Sequence, residues 1–202
     1  MIIGITGGTG CGKTTALDAI RSLGGTIIDC DAVYHGLLRT DPALLAAIEA
    51  RFPGTVENGS LQRKKLGAIV FADPTALEDL NRITHAAVKA KVLSLLPPPP
   101  ALAAIDAIGL IEGGIAGLCD CTVAITAPEE ARIRRIMARD GICREYALSR
   151  IRAQKPDSWF AENCDYVLEN SASQEDFQKK CIAFFRDRLI INSENSTKGE
   201  LL

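Results

Sequence analysis

Between Gly7 and Thr15 the chain reads GGTGCGKTT, where glycine, lysine and hydroxyl residues fall at a spacing that can hold phosphate. Gly7 to Thr14 satisfies GxxxxGK[ST], directly after the apolar run Met1–Thr6 and at the start of a helical pattern. Glycines let successive backbone N–H groups converge on phosphate oxygens, and the helix start adds partial positive charge. Lys13 is placed to bridge the β- and γ-phosphates of a nucleoside triphosphate, and the Thr14 hydroxyl to ligate Mg2+. Gly8, Gly10, Cys11, Gly12, Lys13, Thr14 and Thr15 are the candidate nucleotide contacts. The loop leaves the reaction open, because GTPases, ATPase motors and small-molecule kinases share it.

The stretch TIIDCD places Asp29 and Asp31 beyond the carboxyl end of a second apolar strand, where ligands sit in open parallel sheets. Carboxylates on alternate strand residues face one side together. A kinase acting on a hydroxyl needs one carboxylate to accept or orient the proton and another to hold hydrated Mg2+. The competing reading makes Asp31 a helix cap. Further on, ARIRRIMARDGICREYALSRIRAQK carries eight of the 23 Lys and Arg residues. A charge run of this kind is ordinarily a solvated helix face. Arg135 and Arg139, however, are i, i+4 neighbours able to reach one polyanion. Phosphoryl transfer needs cations around the migrating group and exclusion of water, and a hinged helical lid carrying arginine provides both.

The elements that must position these groups follow from periodicity and punctuation. Met1–Thr6 reads as a buried strand, Lys13–Leu23 as a helix ended by Gly24-Gly25, and Thr26–Ile28 as a second strand, which together make βαβ. From Asp31 to Leu96 the pattern is helical. Pro42 opens a helix to Phe52, Pro53-Gly54 and Asn58-Gly59-Ser60 mark a loop, and Leu61–Phe71 is helical again. Asp73-Pro74 supplies the N-cap and first position of a long helix to about Leu96. After Pro97–Pro100, strands are expected at Ala101–Ile108, Cys121–Thr126 and Tyr166–Leu168. Helices are expected from Pro128 to near Gly141, over Arg144–Gln154 and over Gln174–Ile190. The polar end is expected to fray.

The chain has 202 residues, 47% hydrophobic and 24% charged, as in a folded soluble domain. A formal charge of -2 argues against a nucleic-acid-coating surface. No apolar run is long enough to cross a bilayer, and Gly4–Gly12 breaks the N-terminal run too early for a signal peptide. The cysteine count is seven, with no CxxC and only two histidines, so reduced thiols in a cytoplasm are expected rather than disulfides or zinc. Cys119 and Cys121 read as buried or half-buried thiols.

Two short patterns favour a GTPase-like switch: Asp106-Ala107-Ile108-Gly109 fits DxxG, and Gln154-Lys155-Pro156-Asp157 nearly fits NKxD. The second follows an arginine-rich helix instead of a buried strand, and its base-reading position is Gln. A kinase for another hydroxyl acceptor, a nucleoside or a sugar, is the nearer alternative. The ordered combination of ITGGTGCGKTT, IDCD, LQRKKLGAIVF, ITHAAV with His85, LIEGG with Glu112, RRIMARDGICREYALSRIRAQ and CDYVLEN resembles the dephospho-CoA kinase family, over nearly everything to Asn170.

The resemblance implies transfer of the ATP γ-phosphoryl group to the ribose 3′-hydroxyl of dephospho-CoA, with Mg2+, in the last step of coenzyme A synthesis. It implies an α/β P-loop kinase fold, a five-stranded parallel core (1–31 and 101–190) flanked by helices. To this are added a helical CoA-binding insert (32–100), a lid at about 139–163 and a flexible tail (191–202). Carried over by position, Asp31 is the base, Lys13 and Thr14 serve ATP and Mg2+, and Asp29 is a second Mg2+ group acting through water. Arg135 and Arg139 fall on the lid side of the phosphate site, with Arg139 catalytic. Arg63, Arg82, His85 and Glu112 fall to the acceptor, His85 shaping its pocket. Partners other than the small-molecule substrate are not implied, neither nucleic acid nor membrane, and the chain is expected as a monomer or weak homo-oligomer. It departs from the family in having Ala86 after His85 where proline is usual, Ile108 where proline is usual, Asp157 where a basic residue is common, and Cys11 in place of Ser or Ala.

Overall fold

A computed structural model describes residues 1–190; the expected tail, 191–202, lies outside the described residues. In chain order the elements are β1 (Ile2–Thr6), α1 (Lys13–Ser22), β2 (Thr26–Asp29), α2 (Cys30–Thr40) and α3 (Pro42–Arg51). Next come β3 (Val56–Glu57), β4 (Ser60–Leu61), α4 (Arg63–Ala72), α5 (Pro74–Leu95) and β5 (Ala103–Asp106). The chain continues through β6 (Cys121–Thr126), α6 (Glu129–Asp140), α7 (Arg144–Arg152), α8 (Asp157–Asn163), β7 (Tyr166–Glu169) and α9 (Gln174–Ala183). A 3-10 turn at Ala116–Leu118 and a π-helical extension at Phe184–Ile190 complete the set.

The sheet is five-stranded and parallel, in the order β2-β5-β1-β6-β7. β1 lies at its centre, with Ile2 opposite Ala103 and Ile5 opposite Asp106 on one side, and Ile3 opposite Cys121 on the other. The chain leaves β1 for the outer strand β2, returns to β5, then crosses to β6 beyond β1. That reversal opens a crevice at the carboxyl ends of the central strands, where the phosphate loop begins. Helices flank the sheet, and its central strands β5, β1 and β6 are apolar and buried, with Ile3, Ile5, Ile105, Val123 and Ile125 fully so. α1 packs its Ala16, Leu17, Ala19 and Ile20 face with Phe177 and Cys181 of α9 and with Phe185. Each such aromatic contributes roughly 1.5–3 kcal/mol by leaving water.

The chain divides into two compact units, Ile28–Leu96 and the remainder. Within Ile28–Leu96, α5 is the spine, burying Ala76, Leu80, Thr84, Val88 and Val92 at four-residue spacing, and α2, α3 and α4 pack on it. Asp41 and Asp73 cap α3 and α5, each followed by a proline at the first helical position. α5 runs unbroken through His85-Ala86, as a helix without proline should. The expected loop at 58–60 is instead a tight hairpin. Asn58 and Gly59 adopt φ 50° and 73°, the left-handed pair that a two-residue turn between β3 and β4 requires. β5 is shorter than Ala101–Ile108, and α8 occupies a seven-residue stretch too short to show a helical period.

Candidate active site

The loop leaves β1 at Thr6, whose hydroxyl donates to Ile108 O at 3.1 Å, and enters α1 through Gly12. Gly7 has φ 134°, and a Cβ there would lie 2.2 Å from Ile125 O, so only glycine passes. Gly12 has φ 97° and no side-chain cap follows, leaving the start of α1 open to an anion. Lys13 Nζ folds back over the loop and donates to Gly7 O at 2.9 Å. The Thr14 hydroxyl is exposed and makes no hydrogen bond among the described residues, so it is available to a cation.

A cavity of about 360 Å3 sits on this loop, lined by Gly8, Gly10, Gly12, Lys13, Thr14, Asp106, Arg135 and Arg139. Both expected arginines border it, in different states. Arg135 is tied down, donating to Gly10 O at 3.2 Å and to Asn170 Oδ1 at 3.2 Å. Arg139 is largely exposed and held by Asp140 at 2.7 Å, with Thr9 Oγ1 at 3.4 Å. The Asp140 hydrogen bond raises the Arg139 pKa, and Arg139, then Arg150, holds the Asp140 carboxyl below its usual range. Two arginines and a lysine thus line one space, the arrangement a polyphosphate needs.

Glu112 lies apart from that cavity. It lines a neighbouring one of about 370 Å3 with Gln154, Lys155 and Phe160, the two sharing Gly8 and Ile108 as walls. Asp29, Asp31, Arg63, Arg82 and His85 belong to the helical unit. Strand β2 ends at Asp29 and α2 begins at Cys30, so the two aspartates do not alternate on a strand. Asp29 is the cap: its Oδ1 accepts from Ala32 N at 3.0 Å, which leaves Asp31 in the first helical turn with its carboxylate outside the capping interaction. Arg82 is exposed and paired with Asp79, which also accepts from Arg51. Arg63 approaches Tyr34, tempering the rise that burial imposes on that phenol. His85 is half-buried on α5.

Spacing puts the Cys11 thiol beside Lys13 at a helix start, which favours a reactive thiolate, against the competing reading of a small filler where serine would serve. The structure agrees with the filler. The thiol is fully buried in the core cluster, and burial pushes its pKa up, with Arg132 and Lys13 only partly offsetting the rise. Cys11 N donates to Gly8 O at 3.3 Å, an internal loop contact. None of the seven cysteines, all among the described residues, forms a disulfide, and Cys119 and Cys121 are half-buried.

The NKxD-like run has other work. Gln154 Oε1 accepts from Thr9 N at 2.8 Å and Asp157 meets Arg132 at 3.5 Å, so these side chains brace the phosphate loop. Arg132, Gln154, Asn170 and Asp106 are the site residues that no expected role covered. Gln154 and Asn170 stand in the stretches that carried the resemblance, whereas Arg132 is hidden among equivalent arginines.

A parallel sheet with strand order reversed around β1, a glycine loop opening onto α1 and arginines from α6 over the loop define a P-loop kinase. The fold is shared with shikimate kinase from Acinetobacter baumannii, at TM-score 0.53 and 18% identity over 94% of each chain. The chain belongs to the dephospho-CoA kinase family, whose profile matches residues 1–176. It is 37% identical over 182 residues to the dephospho-CoA kinase of Thermus thermophilus, covering 89% of this chain and 87% of that one. The solved dephospho-CoA kinase from Campylobacter jejuni superposes with TM-score 0.66 at 26% identity, covering 92% of this chain and 96% of that chain.

Proposed function

We propose that the chain transfers the γ-phosphoryl group of ATP to the ribose 3′-hydroxyl of dephospho-CoA, giving coenzyme A and ADP. The observation that carries this reading is the cavity on the glycine loop, bounded by Lys13, Thr14, Arg135 and Arg139, in a chain of this family. Loop N–H groups and Lys13 bind the β- and γ-phosphates, and Arg139 meets the charge that develops as the phosphoryl group moves. Thr14 would hold Mg2+, with Asp29 assigned to the ion through water; when bound, the ion would neutralise phosphate charge. Asp31 takes the proton of the attacking hydroxyl. Arg63, Arg82, His85 and Glu112 serve the acceptor, and for Arg82 this means exchanging Asp79 for substrate. The same reading makes the chain a cytoplasmic enzyme; among the described residues no helix is long and apolar enough to cross a membrane.

The test is ADP release with Mg-ATP, measured with and without dephospho-CoA, and with GTP competing. Release that depends on dephospho-CoA, is not suppressed by GTP, and yields a 3′-phosphorylated product is expected. Rapid release without acceptor, or with a simple nucleoside alone, would overturn the reading.

A further inference from the structure

Arg132 lies on α6 with 5% of its surface exposed, an unusual place for a guanidinium. Each arm of the fork is engaged. Nε donates to Thr9 O at 3.0 Å, one terminal nitrogen to Gln154 Oε1 at 3.2 Å, and the other reaches Asp157 Oδ1 at 3.5 Å. Gln154 Oε1 in turn accepts from Thr9 N at 2.8 Å. Both main-chain polar groups of one loop residue are therefore fixed, the carbonyl by Arg132 directly and the N–H by the amide that Arg132 orients.

The loop is also shaped to this arginine. A Cβ on Gly8 would come within 2.2 Å of the Arg132 terminal nitrogen, and one on Gly10 within 2.9 Å of Arg132 O. Two glycines of the phosphate motif thus answer to the close approach of α6 as well as to phosphate. The far end of the fork is Asp157, the first residue of α8, while Gln154 follows the end of α7. One side chain consequently joins the loop, α6 and the α7–α8 connection.

We propose that Arg132 is a positioning residue for nucleotide binding: it sets Thr9, through its own contact and through Gln154, so that the loop N–H groups converge on the phosphates. The proposal rests on the kinase reading above. Beside its pairing with Asp157, Arg132 spends one arm directly on the nucleotide loop and a second on the Gln154 amide that holds the same loop residue, which packing alone would not require. Lysine retains the charge but offers one donor centre, which cannot span Thr9 O and Gln154 Oε1 together.

The experiment uses the full chain with Arg132→Lys and, because Gln154 is only half-buried and safer to fold, Gln154→Ala. Mg-ATP binding is measured by calorimetry without acceptor, alongside melting temperature and steady-state constants for both substrates. Both variants are expected to raise the Kd and KM for ATP by about tenfold or more, since small displacements of a binding group are costly. In Arg132→Lys, which removes no group from the cavity holding Glu112, the KM for dephospho-CoA should stay within about twofold, and melting should remain cooperative in both variants. The double variant should bind no more weakly than the worse single one, because both changes release the same residue. ATP affinity within about twofold of the parent in Gln154→Ala overturns the proposal, whatever Arg132→Lys does to the fold. So does an equal loss in both substrates' KM in a folded Arg132→Lys chain. A parent chain that fails to bind Mg-ATP at all would instead fault the kinase reading, so the two failures are distinct.

Discussion

The side-chain amide of Asn170 donates to the carbonyl of Cys11 at 2.9 Å, tying the residue after β7 to the middle of the phosphate loop. Asn170 is 4% exposed, and its Oδ1 accepts from Arg135 at 3.2 Å. Its Nδ2 stands where a Cβ on Gly12 would fall, 2.3 Å away, so asparagine and glycine fit as a pair. Asn170→Ala would leave the Cys11 carbonyl and an Arg135 arm short of partners in a dry setting, at a cost of about 1–3 kcal/mol. The expected result is a lower melting temperature together with weaker Mg-ATP binding. An unchanged melt would show that water replaces the amide without loss.

Asp29 and Asp31 are separable by substitution. Asp29→Ala removes the α2 cap and should cost about 0.5–2 kcal/mol of stability. Asp31→Asn keeps size and cap, yet cannot take a proton, so turnover should fall by about 10^2 or more with the melting temperature held. Denaturation midpoints and kcat for both variants decide it. Full turnover in Asp31→Asn would end its candidacy as the base.

The loop is legible in the sequence because its demands are local: glycine for the turns, lysine and threonine at fixed offsets, a strand before and a helix after. The β-branched runs of β1 and β6, and the Asp-Pro caps of α3 and α5, are legible for the same reason. Arg132 is not, since its burial depends on α6 meeting Thr9 across 123 positions of sequence. Nothing local distinguishes it from Arg134 beside it, which stays exposed. The hairpin at Asn58-Gly59 carries the right turn residues, but two-residue strands show no alternation to read. α8, at seven residues, is likewise too short for a 3.6-residue period to declare itself.

Arg139 is the exposed member of the arginine pair, oriented by Asp140, which Arg150 also engages at 2.6 Å. Arg139→Lys keeps charge but loses the planar fork that grips two phosphate oxygens. Turnover should drop more than ATP binding weakens, because the contact matters most as charge moves in the transition state. Comparing kcat with the calorimetric Kd checks this. Small, equal effects on both would reduce Arg139 to a solvated surface group.

Cys11, despite its place beside Lys13, should be inert. Its thiol is fully buried and its pKa is raised by that burial, so little thiolate is present or reachable near neutral pH. Cys143 is exposed. Brief alkylation of the folded chain should label the Cys143 peptide and spare the loop peptide, with or without Mg-ATP. Loop labelling that Mg-ATP prevents would mean the loop opens readily in solution.

Buried thiols also set how the fold responds to alkali. Burial pushes the Cys181 thiol up to about 12 from an ordinary 9.0, and Cys121 up to about 11 with Asp165 and Asp120 adding to the rise. Below the ordinary value both states keep the proton and the thiols leave stability untouched. Above it the unfolded thiol ionises while the folded one cannot, so the unfolded state binds fewer protons and stability falls as pH rises. The slope approaches about 1.4 kcal/mol per pH unit for each thiol. Urea unfolding at about pH 8 and about pH 10.5 should therefore show a marked loss in the parent chain. Cys181→Ala, fully buried beside Phe177, starts weaker through its cavity yet should lose less over the same interval. Every other ionisable group is common to both chains, so the difference between the two declines isolates the thiol. Parallel declines would show that Cys181 ionises as readily in the fold as outside it.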